Sequence, residues 1–285
     1  MTVMTKTRFD VVPRTRYIGA EIRGLDLRQK PDEATIKAIY QAWLDHLVVV
    51  FPGQNLSQED LMRVTGYFGE QGVMRRPAKF FPQGYSKILP GIMLISNIRE
   101  NGEPIGALPD GEMHFHSDQC HQEIPAKATV LYAIEVPSRG GNTLFANGYA
   151  AYETLPESMK HRIAGRRALN AYDKDSTLRT ASYENAGSSF WHPVVRTHPA
   201  TRRKALYVNR LMTREIEGLS REESDALLQK LFDHQEQRKF VYEHVWRPGD
   251  ILMWDNRCAV HARTDFPAGE RRLLRRVTIL GERPV

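Results

Sequence analysis

The 285-residue chain has only two cysteines, Cys120 and Cys258, too few for the disulfide framework that staples small secreted domains. Its longest apolar run, Leu47-Val48-Val49-Val50-Phe51, is far too short to cross a bilayer. The first ten residues contain no apolar stretch of the kind a signal peptide needs. Together these absences lead to the expectation of a cytoplasmic protein with no membrane partner and idle or buried thiols. There is also no glycine-rich phosphate loop and no strict alternation of strands and helices, which argues against a doubly wound nucleotide-binding sheet. No internal repeat or linker divides the chain, so residues 1–285 are expected to form one domain. The formal net charge of +6 suits an anionic ligand and would also fit nucleic acid, and no basic run is dense enough to decide; a small organic anion, with no nucleic-acid partner, is the expectation.

What is present reads as a mainly β protein with flanking helices. Alternating or continuous apolar segments at Tyr17–Ile22, Leu47–Phe51, Met93–Ser96, Met113–Asp118, Ala128–Ile134, Asn142–Ala146, Ile251–Trp254 and Leu273–Leu280 are expected strands. Glu33–His46 carries Ile36, Ile39, Tyr40, Trp43 and Leu44 on one helical face. Ser57 is placed to cap a second helix. Ala150–Ala164 is expected to be helical, as is Arg221–His234, the latter introduced by a Ser220/Glu223 capping box. Many short strands with a few helices outside them fit a double-stranded β-helix, or jelly roll.

The chemistry is concentrated in two places. His116-Ser117-Asp118 presents an imidazole and a carboxylate at alternate positions, which share a face on an ideal strand. Far downstream, His261 supplies a second imidazole. Two histidines and one carboxylate leave the opposite side of a metal open, the ligand set suited to a non-haem Fe(II) that must also bind O2 and a cosubstrate. His114 also shares that face, and a His114/His116 pair would instead suit a cupin-like metal-binding protein without turnover. His121, His192, His198, His234 and His244 have no comparable neighbours and are expected to be structural or at the surface. In Glu270-Arg271-Arg272-Leu273-Leu274-Arg275-Arg276, residues four apart point together. Arg272 and Arg276 can therefore face a site and grip carboxylates, with Arg271 and Arg275 left to solvent. An H-x-D…H pattern with trailing arginines also fits an AlkB-like nucleic-acid demethylase.

In order along the chain, His116-Ser117-Asp118, Gly140-Gly141-Asn142-Thr143, Gly249-Asp250 through Trp254-Asp255-Asn256-Arg257 to His261, and the arginine strand resemble the taurine dioxygenase-like (TauD/TfdA) family. The resemblance runs from about Tyr17 to Gly281. It implies an Fe(II)- and 2-oxoglutarate-dependent dioxygenase with a jelly-roll core, which hydroxylates a small organic anion with O2 and releases succinate and CO2. The products of such hydroxylation fragment when the new hydroxyl lies next to a sulfonate, sulfate or ether oxygen. Carried over by position, the resemblance gives His116, Asp118 and His261 as iron ligands and as the catalytic residues. Thr143 and Arg272 would hold the distal carboxylate of 2-oxoglutarate, and Arg276 would sit near the cosubstrate and meet the substrate's anionic group. Sulfonate-specific members carry a histidine in the segment matching Gly72 to Pro77 and an Asn where Glu112 stands. This chain has neither, so taurine is disfavoured, and Glu112, Arg75 and Arg76 become candidate substrate contacts. Sulfonates, alkyl sulfates, aryloxyalkanoates and other carboxylates are the expected substrate classes. Phe80, Phe81, Phe190 and Trp191 are candidates for an apolar pocket or for core. Self-association is common in the family, so a homo-oligomer is an expectation.

Overall fold

A computed structural model of the chain describes residues 9–73, 88–108, 111–173, 176–180 and 187–285. Among these, the chain is mainly β with five α-helices. A seven-stranded sheet runs in the order Asp10–Pro13, Ala20–Arg23, Val48–Phe51, Ile251–Asp255, Ala128–Glu135, Leu273–Ile279 and Ile92–Ser96. All its pairings are antiparallel except Ala20–Arg23 with Val48–Phe51, where the helix Glu33–His46 makes the crossover that a parallel pair requires. A second sheet of four antiparallel strands runs Val241–His244, Thr143–Asn147, Ala259–Arg263 and Met113–His116.

Period-2 alternation makes the larger sheet the middle layer. Val49, Phe51, Val130, Tyr132, Ile251, Met253, Val277 and Ile279 point toward the helices Glu33–His46 and Gln58–Gly66, joining Trp43, Leu61 and Val64 in one core cluster. Their neighbours Val48, Val50, Leu131, Ala133, Leu252, Trp254 and Leu274 point the other way, against Phe145, Tyr242 and Ala259 of the four-stranded sheet. Buried on both faces, these strands read as unbroken apolar runs. A third cluster packs the helices Gly148–Glu153, Glu157–Ile163 and Arg221–Gln235 around the strand Arg167–Tyr172 and its partners.

Caps set the helix ends. Asp32 accepts from the Thr35 N–H at 2.8 Å, and the first helix stops where Leu47 turns left-handed at φ 64°. Ser57 with Asp60 and Ser220 with Glu223 form complete capping boxes. The expected Ala150–Ala164 helix is instead two short ones broken at Pro156, which stands at the N-terminal boundary of the second. Proline has no N–H to extend the first helix and disfavours helical backbone at Leu155 before it.

The loop between Ile251–Asp255 and Ala259–Arg263 is pinned by a fully buried network. Arg257 grips Asp255 through two contacts of 2.8 Å, and His198 Nε2 donates to Asp255 Oδ2 at 3.0 Å. Burial alone would raise the Asp255 carboxyl pKa, but Arg257 and then His198 outweigh it and hold the pKa well below the ordinary carboxylate range. A group depressed in this way contributes stability that is complete above the unfolded pKa and is lost only as pH falls toward the folded one. Asp255→Ala is expected to cost about 3–5 kcal/mol, because it strands the buried guanidinium. Urea unfolding at neutral pH checks this, and a loss below about 1 kcal/mol, within the range of exposed pairs, would contradict it.

Candidate metal centre

His116 ends its strand, and the neighbouring strand places His261 directly opposite it in register. Their ring centroids are 4.1 Å apart. Asp118 lies beyond the strand in the following turn, so the three expected same-face positions, 114, 116 and 118, do not share one extended segment. The turn still delivers the carboxylate: Asp118 Oδ1 is 4.0 Å from His116 Nε2 and 3.9 Å from His261 Nε2. All three residues are buried, and their ligand atoms lie within 4.8 Å of one another.

Each donor is oriented by a partner. The Nδ1–H of His116 donates to the His114 carbonyl at 3.0 Å, which leaves Nε2 as the lone-pair atom. Thr129 donates to Asp118 Oδ2 at 2.6 Å, and Asn256 donates to Thr129 at 3.0 Å while its own Oδ1 accepts from Trp254 Nε1 and from the Asp118 N–H. Arg276 meets Asp118 Oδ1 at 2.9 Å. Burial pushes the His116 and His261 pKa values down, so both rings are neutral at pH 7. The Asp118 carboxyl feels the opposite balance: burial would raise its pKa, but Arg276, the two histidines and Thr129 hold it far below the usual range. Two neutral imidazoles and an ionised carboxylate are the forms a divalent transition metal needs.

His114 does not join this set. Its Nδ1 accepts from the Arg179 N–H at 3.0 Å, which removes the observation a cupin-like reading would need. A second buried cluster, His198, Asp255 and Cys258, has its donors already engaged. Asp255 is bound by Arg257 and His198, while His198 Nδ1 accepts from the Ala200 and Thr201 N–H groups. His192 and His244 are likewise tied up, bonded to the Gln122 carbonyl and to Asp250 respectively. Both cysteines are buried and free.

The triad opens onto a cavity of about 890 Å³ whose wall also includes Thr143, Arg272 and Arg276. Arg272 is 2% exposed. Its Nη2 donates to the Gly141 carbonyl at 3.3 Å, while Nε and Nη1 have no hydrogen-bond partner. Burial, reinforced by Arg263, pushes its pKa down to about 9, so the cation persists at pH 7 without an anion beside it. A Cβ at Gly141 would come within 3.3 Å of this guanidinium. Thr143 is buried with its hydroxyl held by Trp246 Nε1 at 3.0 Å. Such a buried, underbonded guanidinium has the chemistry to receive a carboxylate.

The remaining expected site residues are dispersed. Glu112 is exposed just before the His116 strand and is not among the cavity's lining residues. Arg75, Arg76, Phe80 and Phe81 lie outside the described residues. Phe190 and Trp191 sit on the strand Ser188–Pro193, away from the cavity lining. Arg271 pairs with Glu135 at the surface as expected, and Arg275 is half-buried. Thr129 and Trp246 join the site through contacts that no motif in the chain marks. The signal for Thr129 was a lone hydroxyl inside the apolar run Ala128–Leu131, where a buried polar group must find a partner.

Four likenesses bear on this geometry. The profile described as "Taurine catabolism dioxygenase TauD, TfdA family" matches residues 10–278. Pentalenolactone F synthase of Streptomyces avermitilis is 34% identical, with 94% of this chain and 92% of that protein covered. The alpha-ketoglutarate-dependent 2,4-dichlorophenoxyacetate dioxygenase of Cupriavidus pinatubonensis is 33% identical, covering 95% of this chain and 97% of the relative. The crystal structure of AAD-2 in complex with Mn(II) and N-oxalylglycine superposes with a TM-score of 0.78 at 27% identity, covering 97% of this chain and 98% of that one.

Proposed function

Given that the chain belongs to the TauD/TfdA family of 2-oxoglutarate-dependent dioxygenases, we propose that it hydroxylates a small organic anion with an apolar body, using His116, Asp118 and His261 to hold Fe(II). The observation that carries the reading is the juxtaposition of two sites on one cavity wall. One is a three-donor set in metal-ready protonation states; the other is a buried arginine whose Nε and Nη1 lack partners. We read the two facing sheets as a double-stranded β-helix, with the metal site at the strand pair His116 and His261.

The residues fit the cosubstrate. Arg272 and Thr143 hold the distal carboxylate of 2-oxoglutarate, the guanidinium supplying two N–H donors and the charge. Bound iron and 2-oxoglutarate supply the oxidising chemistry, coupling O2 to release of succinate and CO2. The protein's own part is positional. The His114 carbonyl fixes the His116 tautomer, and Thr129 and Asn256 fix the carboxylate of Asp118. Arg276, beside Asp118, takes the anionic group of the substrate. Met93, Ile95, Leu131, Met212 and Trp254 line the same cavity and keep the reacting C–H in an apolar, water-poor environment. Aryloxyalkanoates and related carboxylates match this lining best, with alkyl sulfates and sulfonates as the other anionic classes.

Anaerobic addition of Fe(II) and 2-oxoglutarate is expected to give a weak visible metal-to-ligand charge-transfer band. With O2 and an accepted organic anion, succinate release should rise. A folded protein that gives no band would refute the assignment.

A further inference from the structure

The cavity has a second polar region, formed by residues other than the triad, Thr143, Arg272 and Arg276. The turn after Asp118 places Gln119, His121 and Gln122 in its wall, together with Tyr172. This turn is rigidly built. Gln119 takes the left-handed conformation at φ 58°, which is uncommon for a residue with a side chain. The Gln122 N–H donates to the Gln119 carbonyl at 2.9 Å, and the Gln122 carbonyl accepts from His192 at 2.8 Å. The His121 ring lies flat on Tyr172, with centroids 4.7 Å apart and planes at 18°.

That stack fixes the ring plane, and the two nitrogens then differ. Nδ1 is buried with no hydrogen-bond partner. Leaving a buried acceptor unmet is more often tolerated than leaving a buried N–H unmet, so the proton belongs on Nε2. Burial pushes the His121 pKa down to about 4, so the ring is neutral and carries a single N–H donor.

We propose that His121 is a substrate-recognition residue whose Nε2–H binds an uncharged oxygen, such as a carbonyl or ether, on the part of the substrate remote from its acid group. The natural substrate is then bifunctional: an anion at Arg276, an apolar middle, and an oxygen acceptor at His121. This rests on the reading above, in which Arg276 takes the anion.

The test is calorimetric binding to the Fe(II)- and 2-oxoglutarate-loaded protein without O2. The probes are para-methoxyphenoxyacetate against para-ethylphenoxyacetate, and the corresponding pair of sulfonates. Each pair has nearly equal shape and differs in one ether oxygen. The wild-type protein is expected to favour the methoxy member by about tenfold, the worth of one hydrogen bond. His121→Phe keeps the stack on Tyr172 and should bring that ratio to about one. His121→Gln, which retains an N–H donor, should hold part of the preference. Acids that bind with no ether preference, or a preference that survives His121→Phe, would overturn the role of His121 and leave the organic-anion reading intact. Binding of none of the four acids, with the cosubstrate band still present, would remove both.

Discussion

Asp118→Ala protein is expected to fold and to retain no Fe(II), with turnover lost entirely. The variant removes one of three donors and leaves the two imidazoles without the negative charge that offsets a divalent cation. Partners that merely orient a metal ligand are worth about 10–100-fold in affinity, so loss of the ligand itself should exceed about 100-fold. Thr129→Val, which removes only the 2.6 Å hydrogen bond to Asp118 Oδ2, should fall within that smaller range. The comparison matters because Arg276 also touches Asp118. Freed of its counter-ion, Arg276 can hydrate in the cavity, so unfolding by urea should change little while metal retention collapses. His114→Ala should keep its iron, since the His114 ring accepts from Arg179 instead of facing the triad. Iron quantified after desalting separates these outcomes, and an Asp118→Ala protein that still holds a full equivalent would refute the site.

How far this site could be read from the sequence depended on how local each signal was. The helix Glu33–His46 was legible to both ends, because its Asp32 cap and apolar face are encoded within it. So was the Ser220/Glu223 box before Arg221–Gln235. The strand Arg167–Tyr172 and its partners were not expected as strands. Arg167-Ala168-Leu169-Asn170 has neither clean alternation nor β-branched residues, and its pairing with Ser188–Pro193 and Thr213–Ile216 is supplied by distant segments. The candidate metal triad is legible as chemistry, since His-x-Asp and a later His can be seen in the chain. Its geometry is not: Asp118 reaches the site through a turn, and the His261–His116 register is set by pairing across 145 residues of chain (261 − 116). Arg272 was singled out by its spacing from Arg276, but only the fold reveals that its Nε and Nη1 lack partners. His121 is expected to be structural or at the surface, because nothing adjacent in sequence marks it. The stack on Tyr172 forms across 51 positions (172 − 121).

The Arg272→Leu substitution should separate affinity from stability more sharply than any other change. In the cosubstrate-free protein Arg272 is a desolvated cation that finds one long hydrogen bond, to the Gly141 carbonyl, and lies near a second cation, Arg263. Replacing buried charged groups with apolar side chains is commonly neutral or stabilising by about 1–4 kcal/mol, and leucine, shorter than arginine, adds only a little room to a cavity that is already open. The melting temperature without cosubstrate should therefore stay level or rise. Binding should move the other way. Truncating one side of a buried, hydrogen-bonded charge pair costs about 2–5 kcal/mol, which corresponds to a loss of 2-oxoglutarate affinity of about 30-fold to several thousandfold. Titrating the charge-transfer band with 2-oxoglutarate gives that affinity directly, while iron binding in its absence should be unchanged. Arg272→Lys should recover little, because an ammonium cannot reproduce the two-pronged grip of a guanidinium. If Arg272→Leu lowered the melting temperature and left 2-oxoglutarate affinity intact, Arg272 would be a structural cation, and the carboxylate receptor would have to be sought elsewhere on the cavity wall, with Arg263 the first alternative.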